Sequence, residues 1–305
     1  MIIFSIGVLW LLKTAVFVLW DCLHGIRVFI WARLKKLDLV KKYGEYVIIT
    51  GATDGIGLEF AKKFAERGHS LFVIGRNPVK LENTKREIEK LLQPGKKVIT
   101  FIADLNTTNL NVYKKIESEL QPLKERIGIL FNNAGFFVSD PDLFANLKEE
   151  DILNTVNVNV TSILMLTKIV FPFLIENKKG LILNTGSIVS IYPTPFLNVY
   201  GATKAFVKYF GEAIAYEYKD VNIEVQTLIP SMIETKMTEW SSAQRSFLFV
   251  NAKQYVDAAF ATIGRTSLTT GFWTHGIEYF LSVRMFHAFC YKFISYHIVK
   301  LTKRQ

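Results

Sequence analysis

From residue 46 to residue 278 the chain alternates short, unbroken apolar runs with longer amphipathic stretches. The runs are Tyr46–Thr50, Ser70–Gly75, Val98–Ala103, Ile129–Asn132, Leu181–Thr185 and Ile223–Ile229. Continuous rather than alternating hydrophobicity means burial on both faces, the habit of a parallel sheet covered by helices. Between the runs, Leu58–Glu66, Lys80–Leu92 and Tyr113–Leu120 have helical periodicity. This βαβ rhythm predicts an α/β fold, a doubly wound parallel sheet of Rossmann type. Ligands on such sheets bind beyond the carboxyl ends of the strands, so the chemistry is expected just after each run.

The ends of the chain follow a different pattern. Residues 1–12 carry no charge, and Lys13 is the only charge before Asp21. The run Ile2–Trp20 is close to the ~20 residues that a membrane-spanning helix needs. Lys13 weakens insertion by ~2.5–3.5 kcal/mol on insertion scales. Its long stem allows snorkelling, or the helix lies in the interface. No basic stretch precedes the run, unlike a signal peptide. Arg27, Arg33, Lys35, Lys36, Lys41 and Lys42 follow it, which by the positive-inside bias keeps the remainder on the cytosolic side. At the other end, nine aromatics between Phe272 and Tyr296 are interleaved with basic residues, which predicts an interfacial segment or one that closes a pocket. The organisation expected is a membrane segment (1–34), a basic linker (35–45), a dinucleotide-binding catalytic domain (46–271) and an aromatic, basic tail (272–305).

Composition narrows the picture. Half of the 305 residues are hydrophobic and 21% are charged, which excludes a disordered chain. Cys22 and Cys290 are the only cysteines, too few for a disulfide scaffold or a cysteine-rich zinc module. The net charge of +10 is concentrated at the ends: residues 1–45 hold +4, residues 279–305 hold +5, and residues 46–278 only +1. That distribution suits a membrane surface, and no nucleic-acid partner is expected. The five histidines show no H-x3-H or H-E-x2-H spacing, so no metal site is expected.

The first strand is followed by Thr50-Gly51-Ala52-Thr53-Asp54-Gly55-Ile56-Gly57 and then a helix. Glycines let the backbone turn sharply and approach phosphates, and a helix N-terminus offers N–H donors and positive potential. The spacing is G-x3-G-x-G rather than G-x-G-x-x-G. Asp54 within the turn either caps the helix or contacts Arg76. The second strand ends in Gly75-Arg76-Asn77. An arginine here accommodates a ribose 2′-phosphate, whereas an acid would bind the 2′-hydroxyl, so NADP(H) is favoured.

Further motifs follow in order: Asn132-Asn133-Ala134-Gly135 after the fourth strand, Asn159, Ser187 after the fifth, Tyr200-Gly201-Ala202-Thr203-Lys204, and Pro230-Ser231 after the sixth. With the glycine turn, this ordered set resembles the short-chain dehydrogenase/reductase family over about residues 46–235. The resemblance implies that Gly51, Thr53, Asp54, Gly55, Ile56, Gly57, Arg76, Asp104, Asn133, Ala134, Gly135, Tyr200, Lys204 and Pro230 hold the cofactor. It also implies a catalytic set of Asn159, Ser187, Tyr200 and Lys204. Ser187 would polarise a substrate carbonyl, and Asn159 would hold a water linking Lys204 to solvent.

A free phenol at about pKa 10 is a poor donor near neutrality. Lys204, one helical turn along, lies on the same face and is expected to lower the Tyr200 pKa. Serine replaces the usual glycine after Pro230, which is expected to alter the adjoining turn.

Pro193, Pro195 and Phe196, with Met237, Trp240, Phe247 and Phe249, suggest an apolar ligand. The terminal Lys300–Gln305 partly resembles a dilysine retrieval signal. Together these features resemble the branch of microsomal 17β-hydroxysteroid dehydrogenases and very-long-chain 3-oxoacyl-CoA reductases. That implies the endoplasmic reticulum membrane, a catalytic domain facing the cytosol, a lipid ketone as small-molecule substrate, and allows a homodimer. The other reading is a catalytically idle membrane adaptor that keeps the fold.

Overall fold

The computed structural model describes residues 2–34, 36–138, 142–241 and 249–285. Every one of the six apolar runs forms a strand: β1 Tyr46–Thr50, β2 Ser70–Gly75, β3 Val98–Ile102, β4 Ile127–Asn132, β5 Gly180–Thr185 and β6 Ile223–Leu228. Three two-residue strands follow: β7 Ile233–Glu234, β8 Val250–Asn251 and β9 Leu268–Thr269. The main sheet is parallel, in the order β3-β2-β1-β4-β5-β6-β9, while β7 and β8 pair separately. The chain therefore winds outward from β1 to β3, then returns to place β4 on the other side of β1. This reversal opens a crevice at the carboxyl ends of β1 and β4.

Helices cover both faces, which is why these strands are apolar throughout. One face buries Phe60 and Phe64 of the helix Gly55–Glu66 against Phe131 and Phe260. The Phe60 and Phe131 rings meet edge to face with centroids 4.8 Å apart. The other face buries Tyr113, Ile116, Leu166 and Val170 against Phe72, Leu130 and Ile182. The helical run 149–176 is apolar enough to cross a membrane, but half of its most apolar window is inside the protein, and it is a core helix.

Caps explain where the helices start. Asp54 accepts from the Gly55 N–H, and Asn77 accepts from Lys80 N–H ahead of Pro78 at the first helical position. The helices thus begin at Gly55 and Pro78, two or three residues earlier than the apolar periodicity alone predicts.

The N-terminal segment is a continuous helical run, Phe4–Leu34, with none of its most apolar window buried. Its end does touch the domain. Val28 and Ala32 are buried, Arg27 donates to the Arg265 carbonyl at 3.2 Å, and Phe29 lies against Gly276. Cys22 is exposed. At the C-terminal side, the helix Trp273–Phe280 buries Thr274 and His275 and leaves Trp273 and Ile277 exposed. Phe247, Cys290 and the tail from residue 286, with its lysine-rich end, lie outside the described residues.

Candidate active site

A single cleft of about 600 Å³ lies at the carboxyl edge of the sheet, over the β1/β4 crevice. All the sequence-predicted cofactor residues border it, from Gly51 through Arg76 and Asp104 to Pro230, together with Ser187, Tyr200 and Lys204. Asn159 is fully buried just behind the wall.

The glycine turn is held by side chains that the spacing does not reveal. Thr50 Oγ1 accepts from the Asn133 N–H at 3.0 Å and from the Ala134 N–H at 2.9 Å. Asn133 Nδ2 donates back to the Thr50 and Gly51 carbonyls, each at 3.1 Å. The turns after β1 and β4 are thereby locked together. Gly57 packs so closely on the Asn133 amide and the Gly51 carbonyl that a Cβ would overlap both. Gly51, at φ +65°, is less tightly placed, but a Cβ there would still overlap Ala134 Cα at 2.8 Å. Both glycines thus let the turns after β1 and β4 pack together, which fixes the backbone that borders the cleft.

Asp54 does not contact Arg76. Its carboxylate receives the Gly55 N–H at 2.9 Å and the Lys236 ammonium at 2.6 Å. Burial alone would raise its pKa. The hydrogen bonds from Lys236 and Gly55, with the charges of Lys236 and Lys80, outweigh burial and hold it below the usual range. Arg76 is exposed at the far end of the cleft, near Lys80, and has no ion pair among the described residues. Asp104 accepts from the Asn106 N–H at 2.9 Å, closing a short turn beside it.

At the other end, Tyr200 and Lys204 project from the helix Asn198–Glu217. Lys204 Nζ donates to the Thr185 carbonyl at 2.8 Å and lies 5.6 Å from the centre of the Tyr200 ring. Burial pushes the Lys204 pKa down to about 8. Burial also pushes the Tyr200 phenol up to about 12, and interaction with the Ser187 hydroxyl offsets only part of this. The expected fall in the Tyr200 pKa is therefore absent from the protein alone. Desolvation of the phenolate outweighs an ammonium that is itself desolvated and engaged elsewhere. The phenol is held in its protonated form.

Asn159 sits in a short π-helical insertion, Asn157–Thr161, between two α-helical stretches. Its Oδ1 accepts from Phe136 N–H at 2.7 Å, and its Nδ2 donates to the Phe136 carbonyl at 2.9 Å and to Thr203 Oγ1 at 3.1 Å. Both amide donors are thus committed to fixing the loop after β4 and the helix bearing Tyr200. A water reached from this residue would have to use its main chain or the second lone pair of Oδ1.

The Pro230-Ser231 turn is tied to the C-terminal side of the chain. Ser231 N–H donates to His275 Nδ1 at 3.3 Å, and its side chain hydrogen-bonds Glu278. Burial raises the Glu278 pKa, and the Ser231 bond partly offsets it. The serine thus uses its hydroxyl to bind the helix Trp273–Phe280. Beside Tyr200, a small apolar hollow is lined by Phe137, Leu147, Ile152 and Phe196. Phe196 is held at φ +65°, a strained backbone for a bulky residue. Met237 also borders the cleft; the side chain of Trp240 is not described.

Comparison with known proteins agrees with this architecture. A family profile described as short chain dehydrogenase matches residues 45–246. Hydroxysteroid dehydrogenase-like protein 1 of Gallus gallus is 40% identical over 253 residues, 82% of this chain and 75% of that protein. Very-long-chain 3-oxoacyl-CoA reductase-B of Danio rerio is 34% identical, covering 90% of this chain and 86% of its own. A relative from Pongo abelii, inactive hydroxysteroid dehydrogenase-like protein 1, is 34% identical over 92% of this chain and 84% of its own. Among solved structures, a short-chain dehydrogenase from Sphingobium yanoikuyae in complex with NADPH superposes with a TM-score of 0.65. It is 31% identical and covers 74% of this chain and 87% of that one.

Proposed function

Because the chain belongs to the short-chain dehydrogenase family, we propose that it uses NADPH to reduce a ketone on a hydrophobic lipid. It is an oxidoreductase of CH–OH groups, and NADP(H) is its cofactor, in keeping with the NADPH complex of the Sphingobium relative. The residues fit that group. The glycine turn, which borders the cleft at the N-terminus of the helix Gly55–Glu66, suits a pyrophosphate, and Arg76, without an ion pair among the described residues and with Lys80 near it, suits a 2′-phosphate.

The observation that carries this reading is the convergence of Ser187, Tyr200 and Lys204 at one end of the cleft that Arg76 closes at the other. When bound, the nicotinamide supplies a hydride to the carbonyl carbon. Ser187 directs the carbonyl oxygen towards Tyr200. Tyr200 Oη gives its proton to that oxygen as the C–H bond forms, yielding the alcohol and leaving a phenolate. Lys204 provides the positive charge that makes the phenolate tolerable, and Asn159 keeps the supporting loop and helix in register.

We take the substrate to be a 17-oxosteroid or a long-chain 3-oxoacyl-CoA, a reading supported by the relatives named hydroxysteroid dehydrogenase-like protein 1 and very-long-chain 3-oxoacyl-CoA reductase-B. Attachment to the endoplasmic reticulum membrane, with residues 46–271 facing the cytosol, is supported by the exposed apolar helix Phe4–Leu34 and the basic residues at its end. The inactive relative favours a second reading, an idle adaptor; the intact Ser187, Tyr200 and Lys204 stand against it. Turnover of the purified chain with NADPH against 17-oxosteroids and long-chain 3-oxoacyl-CoAs separates the readings. Reduction of one panel supports catalysis, and NADPH binding with no turnover on any ketone supports the adaptor.

A further inference from the structure

A second cavity, of about 190 Å³, lies where the N-terminal helix ends against the domain. It is bounded by Ala32, Arg33, Lys36, Leu37 and Leu39, by the last turn of the helix Gly55–Glu66 and by the helix Ala252–Ala261. The first turn of Gly55–Glu66 borders the catalytic cleft, so a full helix length, about 18 Å, separates the two sites.

Four cations line this cavity, Arg33, Lys36, Lys63 and Arg67, against one carboxylate, Asp257. Lys63 is satisfied, at 2.6 Å from Asp257 and 3.5 Å from Glu66. Arg67 lies over the Phe260 ring at 5.9 Å. Among the described residues, Arg33, Lys36 and Arg67 carry no ion pair. The negative end of the helix dipole accounts for cations at Lys63 and Arg67. It does not account for Arg33 and Lys36, which arrive from another element. Three uncompensated positive charges thus converge on a cavity that has an apolar floor of Phe260 and Ile263.

The same stretch of helix presents large apolar side chains to the outside. Ile30, Trp31 and Leu34 are 56%, 68% and 80% exposed, immediately beside Arg33. Trp at the end of an apolar helix is characteristic of the membrane–water boundary, and basic pockets beside such helices recognise acidic lipid headgroups. We propose that this cavity binds the phosphate headgroup of an anionic glycerophospholipid, with the acyl chains lying along Trp31 and Leu34. The inference rests on the membrane attachment proposed above. A free phosphate would answer the cations, but the exposed apolar helix that carries Arg33 to the cavity also carries it to a membrane surface, where the anion at hand is a lipid headgroup. A phosphate of a substrate bound in the catalytic cleft would have to cross the length of the helix Gly55–Glu66.

The test is equilibrium binding to the full chain in neutral detergent. The probes are dioctanoylphosphatidic acid, dioctanoylphosphatidylcholine and inorganic phosphate. Phosphatidic acid should bind at least about tenfold more tightly than either other probe, given the charges involved. Arg33→Gln, Lys36→Gln and Arg67→Gln combined should lose at least about tenfold towards phosphatidic acid. A control with Lys114→Gln and Lys115→Gln, both exposed on the helix Leu110–Leu120 and absent from the cavity's lining, should match the parent. All three pocket positions are exposed, and NADPH binding verifies that the variant is folded. Should the triple variant fail to fold, Arg33→Gln alone should still lose roughly threefold to fivefold. Equal phosphatidic acid affinity in parent and pocket variant, or equal affinity for inorganic phosphate, would overturn the proposal. Retention of the parent chain in phosphatidylcholine vesicles reads the attachment separately, since that depends on the apolar helix and not on the pocket.

Discussion

The Lys236 ammonium sits 2.6 Å from Asp54 Oδ2 and so joins the glycine turn to the segment after β7 across the mouth of the cleft. Asp54 needs this partner: a bare carboxylate beside a pyrophosphate repels it. Lys236→Gln should therefore weaken NADPH binding, and Asp54→Asn, which keeps a capping oxygen for Gly55, should not. Both side chains are about half exposed or more, so the effect should not exceed about fivefold, in line with ~0.2–1 kcal/mol for exposed pairs. Combining the two changes should restore the parent affinity. Titration of NADPH into the four proteins checks this, and equal affinity across all four would deny the pair any role in binding.

Arg76 stands exposed at the opposite end of the cleft. Arg76→Asp removes a charge-assisted contact worth ~1.5–3 kcal/mol and adds repulsion. The preference for NADPH over NADH should fall by at least about tenfold. Parallel titrations of both cofactors measure the ratio; an unaltered ratio would make Arg76 a surface residue.

Lys204 gives a pH signature. Its folded pKa, about 8, lies below the ordinary lysine value. The ammonium is present below that pH and lost above it, while Tyr200 stays protonated up to about 12. The kcat/KM for reduction should thus fall as pH rises through about 8, reporting the free protein. Stability moves the other way. Between about 8 and the ordinary lysine value of 10.5 the unfolded chain binds the extra proton, so on this residue's account stability rises with pH. Lys204→Met should abolish both effects; a pH–rate profile without an alkaline limb would contradict the assignment.

Much of this was legible in the sequence because a buried parallel strand has little freedom in composition. Each of the six runs became a strand, and the motifs after them came together because the fold puts every strand's carboxyl end on one edge. Short elements escaped. Leu268–Thr269 is a strand of two residues, too brief for any periodicity. The π-helical insertion at Asn159 has no pattern of its own. The site residues that sequence reasoning missed act mainly through bonds with the backbone: Thr50 accepts main-chain N–H groups, and the Thr185 carbonyl receives Lys204. The Asp54 partner was hidden for another reason. Lys236 is far away in sequence, and only the β7–β8 pairing brings its segment over the cleft. The Tyr200 pKa was misjudged because spacing reveals a neighbouring charge but not how deeply both groups are desolvated.

The packing of Val28 and Ala32 refines where the N-terminal helix can be cut. Deletion of residues 2–25 should reduce membrane retention and leave NADPH binding and Tm intact. Extending the deletion to residue 34 removes buried Val28, worth ~1.5–3 kcal/mol, and should lower Tm by roughly 3–12 °C. Flotation and thermal melts on the two truncations test this. Equal Tm values would show that residues 26–34 contribute nothing to the domain.

The central claim is that Tyr200 Oη is the proton donor to a substrate carbonyl, and Tyr200→Phe tests it most directly. The substitution removes one hydroxyl and keeps the ring, including its edge-on contact with Phe137 at 4.9 Å. NADPH affinity and Tm should change little. Single-turnover reduction of the preferred ketone should slow by at least the ~10²–10⁴-fold that general acid catalysis supplies. A Tyr200→Phe protein that binds NADPH normally and reduces the ketone within a few-fold of the parent rate would contradict the account.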